Sequence, residues 1–436
     1  MTELRRTLGP FMLWGLGVGY VISGEYFGWN LGLPVGGTYG MLAATLIVTV
    51  MYVAFVLSYA ELAAAIPKAD GASAYASEAL GPFAGMIAGL CQWIEFVFAP
   101  PAIALAVGAY LHLLVPAVPA IGFAVSAYVV LTALNIWGVR QAVFFELFVT
   151  IIAVAELLVF IAVTAPKFRW ENIALDPLPH GWAGVFACFP FAIWFYLAIE
   201  GVANAAEEAR NPQRDLAIGF GSAMATLVVL ALAVFFCAIG VAGWHAVVYA
   251  PGSATPSDSP LPLAMAHAVS ERSIFYSMLV GIGLFGLVAS FHGILLAAAR
   301  ATMALGRAGF APSALGRVSA RTSTPVVALL VNMVVGIAAI FTGRTAEIIT
   351  LSCFGALGMY VVSMVAVLVL RRRKPALVRP FIVPLYPLTP IVALAIALVC
   401  FVSVAVASPL LAAAFAVVIV AASAASWGFR MRAARG

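Results

Sequence analysis

Residues 10–37 read PFMLWGLGVGYVISGEYFGWNLGLPVGG, and this stretch decides the fold. As a helix it is long enough to cross roughly 30 Å of hydrocarbon, yet it carries a charged residue, Glu25, near its middle. Gly15, Gly17, Gly19, Gly24 and Gly28 crowd the same segment. Glycines in a membrane helix let neighbouring backbones approach, so by themselves they read as packing residues. A carboxylate at the bilayer centre is different, because it costs roughly 2.5–3.5 kcal/mol there. Ser23-Gly24-Glu25 therefore predicts a span broken at mid-depth, which frees backbone N–H and C=O groups for a ligand.

A second stretch has the same character. Residues 189–209, FPFAIWFYLAIEGVANAAEEA, place Glu200-Gly201 near the middle of another apolar run. Gly-Glu in span 1 and Glu-Gly in span 6 lie five spans apart, the layout of two inverted five-helix repeats whose first helices are broken around a midplane site. The expected organisation is one transporter domain over 1–436, with repeats at 10–165 and 182–370 and two further helices at 387–429.

Working outward, the composition leaves little room for another class. Of 436 residues, 64% are hydrophobic and 9% charged, against roughly 25% charged in a soluble domain. The apolar runs are continuous rather than alternating, which favours helices over an outer-membrane barrel. Twelve spans are expected, at 10–37, 39–66, 82–114, 118–138, 141–165, 182–209, 214–243, 272–305, 325–342, 345–370, 387–408 and 410–429. The chain reads as an all-α polytopic membrane protein. Of 22 Lys and Arg, only Lys167, Arg169, Arg272 and Arg344 fall in one set of loops, so the positive-inside rule puts both termini in the cytoplasm. The basic tail Met1–Gly9 runs into the first span without a cleavage site, so it is not read as a signal peptide. Residues 67–81 are expected as a short helix on the cytoplasmic surface, 244–271 as an external loop without strong periodicity, and 306–324 as a basic linker.

Cys91, Cys188, Cys237, Cys353 and Cys400 lie in apolar stretches and fit neither a disulfide framework nor a zinc site. His112, His180, His245, His267 and His292 are scattered without ligand spacing, so no metal or cofactor is expected and a membrane enzyme is disfavoured. No filter-like repeat points to a channel. The basic residues sit in loops between spans and imply the lipid bilayer, not nucleic acid, as the partner.

Six acids fall inside predicted spans: Glu25, Glu61, Glu95, Glu146, Glu156 and Glu200. Glu61 and Glu146 lie nearer cytoplasmic ends and read as structural. Glu156 is a buried acid on span 5, open to a coupling role or to simple burial. Glu95 precedes Pro100-Pro101, which release the carbonyls of Phe96 and Val97 and create an electronegative patch suited to an ammonium, or merely a kink. Aromatics gather at the same places, among them Tyr20, Tyr26, Trp29, Trp93, Trp194 and Tyr196. Aromatic faces bind organic cations, although on membrane helices they are more often packing residues. His292 is a candidate proton carrier or an interhelical hydrogen bonder.

Three motifs bring in a known family. Glu61-Leu62…Pro67…Gly71…Tyr75…Gly81, Glu207-Glu208-Ala209-Arg210-Asn211-Pro212-Gln213-Arg214 and Arg300…Ala304-Leu305-Gly306-Arg307-Ala308-Gly309…Pro312…Thr324-Pro325 resemble signatures of the amino acid–polyamine–organocation transporters. Val21-Ile22-Ser23-Gly24-Glu25-Tyr26-Phe27-Gly28-Trp29-Asn30, Ile94-Glu95-Phe96-Val97-Phe98-Ala99-Pro100-Pro101 and Ser290-Phe291-His292-Gly293-Ile294 resemble the ethanolamine permease branch.

The resemblance implies that Ser23-Gly24-Glu25 stands where relatives carry a Gly-Ser-Gly-like segment that holds a substrate carboxylate. A glutamate there would repel a carboxylate and favour an amine. By the same resemblance Trp194 is the aromatic gate closing over substrate, and Glu200 the acid just past the break. Ile22, Ser23, Gly24, Glu25, Tyr26, Glu95, Trp194, Leu197, Ala198 and Glu200 form the expected substrate site, and Glu200, Glu156 and His292 the candidates for a proton or coupling role. Several relatives place a lysine in span 5 in lieu of a sodium ion; the matching residue here is Ala153, which argues against lysine-based coupling and leaves the driving ion open between H⁺, Na⁺ and none. The expected function is inward transport of a small protonated amine, ethanolamine first, across the cytoplasmic membrane by alternating access. An amino-acid or polyamine carrier is the alternative.

Overall fold

Span 1 breaks where its glycines and its acid predict. In the computed structural model, which describes residues 7–68, 70–137, 142–319, 321–322 and 324–433, it begins as the helix Pro10–Val21, with proline at the position that needs no N–H partner. The short turn Ser23–Tyr26 follows, then extended backbone at Phe27 and a left-handed Gly28 at φ 92°. A 3-10 turn, Trp29–Gly32, leads into the helix Leu33–Ala65. That helix bends at Gly37 (φ 63°), which separates the end of span 1 from span 2. A side chain at Gly37 would also press on Pro179 and on the carbonyls of Pro177 and Asp176, so only glycine fits.

The remaining spans follow at Pro82–Leu114 (span 3), Ala120–Trp137 (span 4), Ala142–Thr164 (span 5), Pro212–Ala242 (span 7), Ile274–Arg307 (span 8), Val326–Ile340 (span 9), Thr345–Arg373 (span 10), Leu388–Ala407 (span 11) and Pro409–Ala433 (span 12). Span 6 comes in pieces: Gly181–Ala187, Phe189–Trp194 and the 3-10 stretch Ile199–Glu208. Among the described residues ten helices are long and apolar enough to cross a membrane. Two shorter apolar helices, Pro10–Val21 and Val326–Ile340, occupy spans 1 and 9. Arg5, Arg6, Arg140 and Arg435 of the orientation count lie outside the described residues.

The short helix expected within 67–81 is present as Ala72–Leu80, which buries Ala72, Tyr75, Ala76 and Ala79. The loop 244–271 departs from its expectation. It holds two helices, Trp244–Val248 and Pro260–Ala268, which bury Val247, Val248, Leu261 and Met265 in the common core. Five and nine residues are too short for a periodic signal to stand out in sequence.

The broken spans form the interior. The apolar window of span 6 is 78% buried within the protein, against 11% for span 12. Span 12 is nevertheless as apolar as the rest, with Leu410 and Val417 exposed, because its outer solvent is lipid. The two broken spans are also tied at one end: the Thr7 and Leu8 amides donate to Glu208 O at 2.9 and 3.0 Å, and the Arg210 amide donates to Leu8 O at 2.8 Å.

Candidate functional site

The breaks in spans 1 and 6 face each other across glycine surfaces. A side chain at Gly24 would run into the Trp194 carbonyl, and one at Gly28 into the Trp194 indole. Trp194 also packs edge-on against Phe27, with ring centroids 5.5 Å apart. The break in span 6 turns on Ala198, which is left-handed at φ 75° although it carries a Cβ. Such a residue costs about 1–3 kcal/mol and persists where the surroundings impose it. Leu197, just before it, is buried in the same turn.

Hydrogen bonds hold span 1 open. The Ser290 hydroxyl, from span 8, donates to the Tyr20 carbonyl and lies 2.8 Å from the Ser23 hydroxyl. The Trp29 indole donates to the backbone carbonyl of Glu25 at 3.2 Å. Asn30 accepts from the Gly28 amide at 3.0 Å and donates to the Ser257 carbonyl of the loop 244–271 at 2.8 Å. Ile22 fills the core at the break itself.

Glu25 is 0% exposed, and neither of its carboxylate oxygens has a hydrogen-bond partner among the described residues. Tyr26 points to span 5, where its hydroxyl donates to Glu156 and, at 3.1 Å, to the Ala153 carbonyl. Its ring occupies the space over Gly283 and Gly286 of span 8. Tyr26 is thus a wall of the site, and Glu156 is held by it from behind.

Glu95 and Glu200 form a second acidic centre. Both residues are fully buried and lie close enough for each charge to act on the other, yet neither Glu95 oxygen nor Oε1 of Glu200 has a hydrogen-bond partner among the described residues. Two carboxylates so placed need a proton or a cation between them. The Tyr360 hydroxyl donates to Glu200 at 3.1 Å and lies 2.9 Å from the Tyr52 hydroxyl. The Ser352 hydroxyl donates to the Glu95 backbone carbonyl at 2.7 Å, and Gly355 lets span 10 lie directly on that backbone. Hydrogen bonds thus join span 10 to spans 2 and 6 through Tyr360 and to span 3 through Ser352.

Glu61 and Glu146, both read as structural from the sequence, have different surroundings. Glu61 accepts from Arg371 at 2.7 and 2.6 Å and from the Val383 amide at 2.8 Å, clamping spans 2 and 10 to the loop after span 10. Glu146 lies 3.7 Å from the ring of His292, so His292 joins span 8 to span 5 rather than entering the site at the breaks. Tyr52 and Tyr360 were missed. They stand on continuous helices, and no break or charge in their own segments marks them.

Both faces of the site are closed. On one side Tyr20 fills the gap between Gly201 and Gly293. On the other, the loop 244–271 is fastened to span 1 through Asn30 and to span 10 through the Thr345 hydroxyl, which donates to Asp258 at 2.9 Å. Burial pushes the Asp258 carboxyl up to about 6, partly offset by that hydrogen bond.

Comparison with known proteins agrees with this geometry. An uncharacterized transporter of Rhizobium meliloti (strain 1021) is 29% identical over 90% of this chain and 85% of its own length. A methylthioribose transporter of Bacillus subtilis (strain 168) is 27% identical over 91% of this chain and 88% of its own. A branched-chain amino acid permease of the same organism is 25% identical over 89% and 86%. The amino acid permease family model matches residues 16–429. With broken spans 1 and 6 at the centre of a helical bundle and that match running nearly end to end, this multi-pass membrane protein belongs to the amino acid permease family.

Proposed function

We propose that the protein imports a small protonated amine, ethanolamine being the first candidate, across the cytoplasmic membrane by alternating access, with both termini inside. The observation that carries this reading is Glu25: a fully buried carboxylate at the span 1 break whose two oxygens have no hydrogen-bond partner among the described residues. A cation leaving water needs such a group, and a substrate carboxylate would be repelled by it. Ser23, Gly24 and the turn at Ala198 supply backbone groups around the bound amine, and Trp194 closes over it. The repeats at 10–165 and 182–370 rock about this point while the helices at 387–429 stay outside. Glu95 with Glu200 is the place for a coupling proton or Na⁺, because the pair requires a positive charge to be stable.

An amino-acid carrier is the second reading, favoured by relatives such as the branched-chain amino acid permease of Bacillus subtilis. Counterflow in liposomes separates the two. Ethanolamine and serine differ by one carboxylate, so ethanolamine should exchange and serine should not compete. Serine competing as well as ethanolamine would establish the amino-acid reading.

A further inference from the structure

The basic end of span 10 forms a groove that the transport site does not use. It is lined by Leu368, Arg371, Arg372, Tyr386, Pro387 and Ile391, where spans 10 and 11 meet the surface. Its lower wall is apolar, and Ile382 and Leu388 beside it are exposed hydrophobic residues. Its upper wall is cationic. Arg371 gives Nε and Nη2 to Glu61 and stacks 4.4 Å from the Tyr386 ring centre, which leaves Nη1 without a hydrogen bond among the described residues. Arg372 is exposed and has no acidic partner among them.

The charges around the groove do not cancel. Arg371, Arg372, Arg373, Lys374 and Arg379 lie within nine residues, and the acids that meet them are Glu61 and Glu78. Glu78 is paired with Lys374, which holds its carboxyl below the usual range, so that acid is fully charged at neutral pH and still leaves a cationic surplus. A tyrosine at the junction of an apolar wall and two guanidinium groups matches the chemistry of a lipid at the membrane interface.

We propose that this groove binds the phosphate headgroup of an anionic phospholipid, with Arg372 and the free edge of Arg371 on the phosphate and an acyl chain along Leu368 and Ile391. Arg371 is also the clamp on Glu61, so a bound lipid braces the joint between spans 2 and 10.

The test uses the purified full chain in neutral detergent, titrated with phosphatidylglycerol and followed by thermal unfolding. Wild type should be stabilised in a saturable way, and Arg372→Gln should weaken the apparent lipid affinity roughly fivefold, as expected for one surface cation near a lipid phosphate. Arg372→Lys should keep most of the response, and Arg317→Gln, on the separate basic linker, all of it. The proposal is overturned if Arg372→Gln responds as wild type does, or if phosphatidylcholine or inorganic phosphate stabilises wild type equally.

Discussion

The Tyr360 hydroxyl of span 10 donates a 3.1 Å hydrogen bond to Glu200, in the 3-10 half of span 6. This bond joins a continuous helix to a broken one, and Tyr52 extends it to span 2 at 2.9 Å. Removing the hydroxyl leaves a buried acid short of a donor, at a cost of about 1–3 kcal/mol. Tyr360→Phe should therefore lower the unfolding temperature and slow counterflow, whereas Tyr39→Phe, on a half-exposed ring, should do neither. A normal transport rate in Tyr360→Phe would separate this network from the transport cycle.

Trp194 rests on Gly28 and Phe27, where the two broken spans meet. Trp194→Ala should weaken amine binding by roughly 0.5–2 kcal/mol through lost cation–π and packing contact, and Trp194→Phe should retain much of it. Binding measured by ligand-induced thermal shift and left unchanged in Trp194→Ala would remove this residue from the site.

Both residues show how far the sequence could be read. Glu25 and Glu200 stood out because an acid beside a helix-breaking element is costly in a membrane and needs a reason, whereas Trp194 stood out through the family resemblance. Tyr360 and Tyr52 were not, since an aromatic residue on an unbroken apolar span looks the same whether it packs against lipid or against a buried acid. The closeness of Glu95 and Glu200 joins residues far apart in the chain, which periodicity cannot pair. The two helices inside 244–271 were hidden by their shortness. Span boundaries, in contrast, follow from hydrocarbon thickness, and the bend at Gly37 falls where the expected spans 1 and 2 were divided.

The loop 244–271 should respond to pH through Asp258. Its carboxyl titrates at about 6 in the folded protein, above its ordinary value of 3.8. A raised acid favours the folded state when protonated. Its contribution is thus fully present below about pH 4, is lost as pH rises through 6, and amounts to about 3 kcal/mol for a shift of this size. Protection from hydrogen exchange over 244–271, relative to the intrinsic rate at each pH, should fall between those limits in wild type and stay constant in Asp258→Asn. Equal pH dependence in both would place the titrating group elsewhere.

Glu61 holds Arg371 and the Val383 amide at once. Removing one partner of a buried charge pair typically costs about 3–5 kcal/mol, and Glu61→Gln, which keeps one acceptor oxygen, should lose about 2 kcal/mol or more of stability. Thermal unfolding of the detergent-solubilised variant checks this; a wild-type midpoint would show that the clamp contributes nothing to the fold.

If the protein carries an amine, the buried carboxylate of Glu25 compensates its charge. Ethanolamine affinity in Glu25→Gln, measured by ligand-induced thermal shift on folded protein with Glu200→Gln alongside, tests it most directly. Losing one partner of a desolvated charge pair costs about 2–5 kcal/mol, so affinity should fall roughly 30-fold or more, while Glu200→Gln impairs transport without abolishing binding. Wild-type ethanolamine affinity in a folded Glu25→Gln protein would contradict the account and move the site to the pair Glu95 and Glu200.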